Sequence, residues 1–534
     1  MKKVTDYLLF AGLILCLLQV WLPAYFLTGD GPSHLYNAQV LHDLWCHKNT
    51  AFYSDFYKVV YRPDPNWLTT FVLAALLFVA KGVVAEKIFI TAYILLFAGG
   101  SYVLLKKIST NPYWPLVLLL FVFPHTLFKG FYNSSFSIAF YFWMVWGWLR
   151  FLERKNMVNA ALFFAFTALI FFTHLLAFVF GAFTCAALIL SYTIAATDMK
   201  GRFAIFFLKY AGWLLLFLAP FMALAAGFTQ KEGGIRLQLH HHFYRLVELV
   251  QFKYFVDITH KEDLFAEICG ILLLLLSLVS FLFLVKSRKV NKYDGFILSL
   301  VMVLFVYLFF PEAFMGRLIL IGMRVQPFVF ILLVCCIAYR FPARLEKVRD
   351  AGSFILFGCF ICLGVVRLQC QLKAGDAAMD YLSVSKYIKP GKTVLPLDFA
   401  PGGADAAGHD IADANWLFAH TAQYLGTEKP LIVLDNYEAN MGYFPVNWVE
   451  WTNPYNHLGR EEGMEGTPPY ADIAGYKTAT GVNVDYIIMW CYDPIYLQNR
   501  HFSKLYAEIQ AGYHIVSVSP SKKAVLYALN SMAE

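Results

Sequence analysis

Hydrophobic positions fall into long continuous runs as far as about residue 370 and into short alternating runs after it. Apolar segments lie near 7–27, 66–83, 86–105, 113–127, 131–150, 157–173, 175–196, 203–227, 265–285, 294–311, 318–340 and 352–369. Most approach the roughly 20 residues that a helix needs to cross a bilayer. Beyond 370, Thr393–Leu397, Leu431–Leu434, Tyr486–Trp490, Ile515–Val518 and Val525–Leu529 read as strands, and 376–388, 413–425 and 494–511 as helices. The pattern predicts a polytopic α-helical membrane domain over 1–370 and a soluble α/β domain over 371–534, whose length suffices for a core of its own.

Composition agrees, since 59% hydrophobic and 15% charged residues depart far from a soluble average. Charge then orients the spans. Lys2–Lys3, Arg150–Lys155, Lys200–Arg202, Lys286–Lys292 and Arg340–Arg349 read as cytoplasmic. The loops 228–264 and 311–317, the turn at His174 and the chain after 370 then face outward. Residues 1–370 carry 32 Lys and Arg against 18 Asp and Glu, whereas 371–534 carry 11 against 18. The net +7 is therefore a topology signal, and nucleic acid is not an expected partner.

A cytoplasmic N-terminus and an extracytoplasmic C-terminal domain require an odd number of crossings, yet the segments number twelve. One segment between 66 and 127 is expected not to cross, with Lys106–Lys107 the place where charge and count disagree. About 11–13 spans result, 11 being favoured. The first run lacks a small-x-small cleavage site and reads as a retained anchor in a bacterial-type inner (plasma) membrane. The ten cysteines lie mostly in apolar segments, with Cys46 and Cys491 expected outside the membrane, so burial explains them better than a disulfide framework.

Candidate chemistry sits where the first span ends, in Thr28-Gly29-Asp30-Gly31-Pro32-Ser33-His34. Asp30 falls on the outer face at lipid-headgroup depth, although Asp before Pro and Ser is also ordinary helix-start chemistry. The loop 28–65 mixes apolar and charged positions around Tyr36–Leu41 and Phe52–Val60, in the manner of helices lying along the interface, and ends at the break Arg62-Pro63-Asp64-Pro65-Asn66. His240-His241-His242 cannot all face one ion and reads as a solvated loop. Pro401-Gly402-Gly403 and Gly466–Pro469 are loops that could close over a membrane-surface cleft. The sequence contains no GxxxxGK[ST] phosphate loop and no GxSxG elbow.

This organisation resembles the GT-C superfamily of polyprenyl-phosphate-sugar glycosyltransferases, which includes protein O-mannosyltransferases and lipid A aminoarabinose transferases. The resemblance covers the membrane part and rests on Asp30 just after the first span, on Leu169–Leu176 with His174 at a turn, and on Gly316-Arg317 through Arg324. It implies a GT-C-like bundle and inverting transfer of a sugar from a polyprenyl-phosphate donor to a lipid, glycan or protein acceptor. Asp30 would be the base, Arg317 or Arg324 the phosphate partner, and His34 and His174 substrate contacts. No cofactor is certain. A divalent metal stays open, because the paired acidic residues of some members have no clear match here unless Asp43, Asp55 or Asp64 serves.

The chemistry asks for the same residue types. A base must take the acceptor's hydroxyl proton, and cations must stabilise the departing phosphate, for which the guanidinium fork is suited. A carboxylate acting from the face opposite the leaving group implies inversion. Arg317 and Arg324, seven residues apart, would share a face of one helix. Each residue also has a plainer reading: His34 as an interface hydrogen-bonder, His174 as a turn histidine, Arg324 as a snorkelling cation, Lys129 and Asn133 as anchors. A transporter or flippase of lipid-linked sugars and a non-enzymatic scaffold are the alternative functions.

Overall fold

Runs of Leu, Ile, Val and Phe satisfy their backbone internally by winding into helices, and these form the body of the protein. The computed structural model describes residues 2–196, 203–231, 241–287, 290–314, 318–405 and 407–532. Within them, seven helical stretches are long and apolar enough to cross a membrane: Val4–Trp21, Gly82–Ile108, Leu175–Ala195, Phe203–Gln230, His260–Val285, Ile321–Arg340 and Ala343–Tyr387. A 22-residue helix, Tyr132–Glu153, joins them. Shorter apolar pieces occupy Trp114–Phe128, Met157–Thr173 and Gly295–Phe309.

Side-chain contacts sort these elements into two ends. At one end Lys107 pairs with Glu153, Tyr293 donates to the Lys107 carbonyl at 3.0 Å, Arg340 reaches Asp294 at 2.6 Å and Asn111 reaches Asp350 at 3.1 Å. Asp30, Lys129, His174 and Arg324 gather at the other. The segment 66–83 contains no long helix and folds as the nine-residue helix Leu68–Leu76 and a turn. The passage 114–128 is broken into Trp114–Leu118, Leu119–Phe121 and His125–Phe128. Lys107 consequently ends at the same face as Glu153, Tyr293 and the Arg340–Asp294 pair.

Two buried polar clasps fix the half of the molecule that carries Asp30. Arg367 pairs with Asp257, lies 2.7 Å from Glu262 and donates to the Phe255 carbonyl at 2.8 Å. Gln371 exchanges both hydrogen bonds with the Leu27 backbone, at 2.9 and 2.8 Å, and so pins the chain where it leaves the first helix. Both residues lie on the helix Glu346–Leu382, which runs without a break past 370 into the C-terminal part.

There the five expected strands form one sheet in the order Leu431–Val433, Lys392–Asp398, Tyr486–Trp490, Ala524–Leu529, Tyr513–Val518. The first three are parallel and the last two antiparallel. The stretch 413–425, expected to be helical, is mostly loop, with only a 3-10 turn at Thr421–Tyr424. Its backbone groups are committed elsewhere: the Ala414 N–H to Ile258, the Phe418 N–H to Pro401.

The first-loop helix Gly31–Trp45 also differs from expectation. It is buried within the protein on nearly every side. Ser33 donates to Gln423 at 2.8 Å, Asn37 and Asn436 exchange amide hydrogen bonds, and the Tyr36 hydroxyl donates to the Leu431 carbonyl at 2.7 Å. Tyr57–Val59 completes the junction by pairing antiparallel with Val446–Trp448. All ten cysteines are free, and Cys46 and Cys491 are half-buried.

Removing one partner of a buried ion pair leaves an uncompensated charge. Arg367→Met strands Asp257 and Glu262 and is expected to cost about 3–5 kcal/mol. Thermal unfolding of the detergent-purified protein reads this, and an unchanged Tm would show that the clasp does not hold that half together.

Candidate active site

The site is assembled on the backbone of residues 27–31. The Gly29 and Asp30 N–H groups donate to the Phe128 and Lys129 carbonyls, each at 2.9 Å. Gly130 permits this approach: it has φ +84°, and a Cβ there would lie 2.3 Å from the Asp30 nitrogen. The Asp30 carbonyl accepts the first bond of the following helix, from His34, with Pro32 in the first turn. The Asp30 side chain makes no capping bond. It projects instead into a cavity of about 260 Å³.

That cavity brings together Asp30, His34, His174 and Arg324, with Lys129 and Asn133 beside them. Arg324 Nη1 lies 3.3 Å from His174 Nε2, an arrangement in which the imidazole accepts and the guanidinium donates. The guanidinium also lies 4.4 Å over the Phe131 ring. His174 is buried at the joint between Met157–Thr173 and Leu175–Ala195, so its place in the turn is what aims it at Arg324. His34 Nδ1 lies 2.9 Å from Glu438, and its ring stacks on Tyr132 at 5.2 Å. Lys129 lies 5.2 Å over Trp416 at the mouth. Asn133 ties Thr69 and the Asn66 carbonyl together, which is an anchoring role.

Arg317 lies outside the described residues, as does His240. The helix that carries Arg324 begins at Ile321, after the extended pair Leu318–Ile319. Asp43, Asp55 and Asp64 do not line the cavity. Among the described residues no three His, Cys, Asp or Glu side chains are grouped to hold a metal ion. The donor set of the cavity therefore does not fit a resident cation.

The C-terminal part contributes groups that no motif marked. His420 stands between two carboxylates, its Nε2 3.7 Å from Asp30 and its Nδ1 3.5 Å from Asp435. Its ring stacks on Tyr437 at 4.8 Å, and the Tyr437 hydroxyl hydrogen-bonds Asp30. Burial alone would lower the imidazole's proton affinity, but Asp435, Glu465 and Asp30 outweigh it and push His420 up to about 10. Glu461 and Glu465 line the same wall. Burial raises both, Glu465 to about 7. His420 was hidden because 413–425 reads as a helix, and no spacing signal in the sequence marks Glu461 or Glu465.

Arg324 lies against His174 and the Phe131 ring, while His420 lies beside Asp30, and Leu175, Phe228, Glu461 and Glu465 complete this part of the lining. Such a site can hold an anion beside a guanidinium and a hydroxyl donor beside a carboxylate in one enclosed space. No protein-family model matches the chain, and no curated protein is similar to it.

A histidine whose folded affinity for protons exceeds its unfolded value of about 6.5 stabilises the fold fully below that pH, and loses the contribution as pH rises through its folded value. For His420 the window runs from about 6.5 to about 10. The Tm difference between wild type and His420→Gln should be largest near pH 6 and shrink steadily toward pH 10. A difference independent of pH would show that His420 is not held charged.

Proposed function

We propose that the protein is an inverting membrane glycosyltransferase that moves a sugar from a polyprenyl-phosphate donor to an acceptor hydroxyl on the extracytoplasmic face. The observation that carries this reading is convergence. Asp30 and His34 from one stretch, His174 from a second and Arg324 from a third meet in one cavity at the end of the molecule opposite the pairs Lys107–Glu153 and Arg340–Asp294. The seven long apolar helices, with the pairs Lys107–Glu153 and Arg340–Asp294 at the end away from Asp30, support a membrane domain with its N-terminus inside and the sheet domain outside. The resemblance to GT-C enzymes supports the same assignment through the position of Asp30 after the first span.

In this mechanism the acceptor oxygen attacks the anomeric carbon while the bond from that carbon to the phosphate oxygen breaks, and the polyprenyl phosphate departs. Asp30 takes the hydroxyl proton. Arg324, oriented by His174, binds the phosphate as its negative charge grows, and Phe131, Leu175 and Phe228 offer an apolar wall to the prenyl chain.

Incubation of the purified protein with radiolabelled polyprenyl-phosphate sugars and membrane extract is expected to move label onto a new product. Translocation of intact labelled donor in proteoliposomes, without product, would instead identify a flippase.

Asp30→Asn keeps the shape of the side chain but cannot accept the proton, so kcat should fall about 100-fold or more with the protein still folded. Near wild-type turnover would rule out the base role. Arg324→Ala should weaken donor binding or slow phosphate departure, and Arg324→Lys should restore only part, since a point charge lacks the bidentate fork. Equal donor affinity and turnover in all three forms would assign Arg324 to snorkelling.

Orientation has its own check. Alkaline phosphatase fused after Asn530 should be active and the same reporter fused after Lys155 inactive. The reverse pattern would put the cavity on the cytoplasmic face.

A further inference from the structure

The cavity is closed on one side by the helical body and on the other by the sheet domain, and the two sides meet at Asp30. Lys129 and Arg324 approach it from the body, one held over Trp416 and the other against His174 and Phe131. From the domain come Glu461, Glu465 and His420, with Asp435 directly behind the imidazole. Asp398 acts on His420 from the adjoining strand, and Tyr437 covers one face of its ring. Burial and acidic neighbours drive a carboxyl toward its neutral form, whereas an opposite charge within about 4–6 Å holds it ionised. The imidazole is only 3% exposed and lies 3.7 Å from Asp30.

We infer that His420 is a positioning residue for Asp30: the C-terminal domain supplies, 3.7 Å from the carboxylate and backed by Asp435, the ring that holds Asp30 aimed into the cavity, so that the base is complete only when the domain is docked. This deepens the glycosyltransferase reading and rests on it for its role in catalysis. His420 is not itself a proton acceptor at neutral pH, because it already carries its proton between Asp435 and Asp30. Asp435 fixes the ring from behind, and is fixed in turn by Gln423, which donates to its side chain at 3.3 Å and accepts from Ser33 of the first-loop helix. The orientation of the base therefore depends on a relay that starts one turn beyond the base itself.

The test reads Asp30 directly. A carbodiimide couples an amine to carboxyl groups it can reach, so peptide mass spectrometry of full-length protein in detergent, labelled at one fixed pH, gives the extent of reaction at Asp30. His420→Gln should change that extent about threefold or more, and His420→Lys, which restores a cation, should return most of the change. kcat should fall with it, while KM for the donor, whose phosphate contacts lie with Arg324, changes less than threefold. An unchanged extent in folded His420→Gln overturns the inference. Should that variant fail to fold, the wild-type protein still decides: rapid diethyl pyrocarbonate modification of His420 at pH 7 would reveal a ring not held between Asp30 and Asp435 and overturn it equally. A changed extent in a protein transferring no sugar would sustain the relation between His420 and Asp30 while refuting the transfer reaction.

Discussion

The structure depends on burying a polar helix. Gly31–Trp45 carries Ser33, His34, Asn37, His42 and Asp43 into an environment where each is less than a tenth exposed. A buried polar group without a partner costs more than a typical hydrogen bond contributes, so these side chains must find partners in whatever covers them. Ser33 finds Gln423, Asn37 finds Asn436 and Glu438, and His34 finds Glu438. The docking of the sheet domain is thereby specified residue by residue, since an apolar lid would leave this helix unsatisfied.

The cavity is a by-product of that docking. Two parts of the chain with opposite charge character, the first 370 residues rich in Lys and Arg and the remainder richer in Asp and Glu, face one another across it. Low exposure lets each cation act on each carboxylate with little screening, which is why His420 responds to Asp435, Glu465 and Asp30 together. The clasp between Gln371 and Leu27 keeps the loop that carries Asp30 from moving relative to the helix on which the sheet domain is mounted.

Much of this was legible in the residue pattern. Continuous apolar runs located the helices, alternation located all five strands, and the position of Asp30, His174 and Arg324 at span ends brought them to one place. Two features were not. The first-loop helix has the mixed composition of an interfacial helix, and periodicity cannot distinguish a polar face turned to lipid headgroups from one turned to Gln423 and Asn436. The loop carrying Trp416 and His420 has amphipathic spacing, but its N–H groups bond to Pro401 and Ile258, so long-range partners override local propensity. His420 and Glu465 are invisible for the same reason: nothing near them in the sequence records that Asp30, some four hundred residues earlier, will be their neighbour.

That separation orders events during synthesis. Ser33 and Asn37 bond to residues 390 and 399 positions later, so a ribosome must finish nearly the whole chain before the first loop can shed its water. Until then Asp30 has no enclosed space around it. The protein acquires its pocket in a late step, once the sheet has formed and come down on the helix waiting for it.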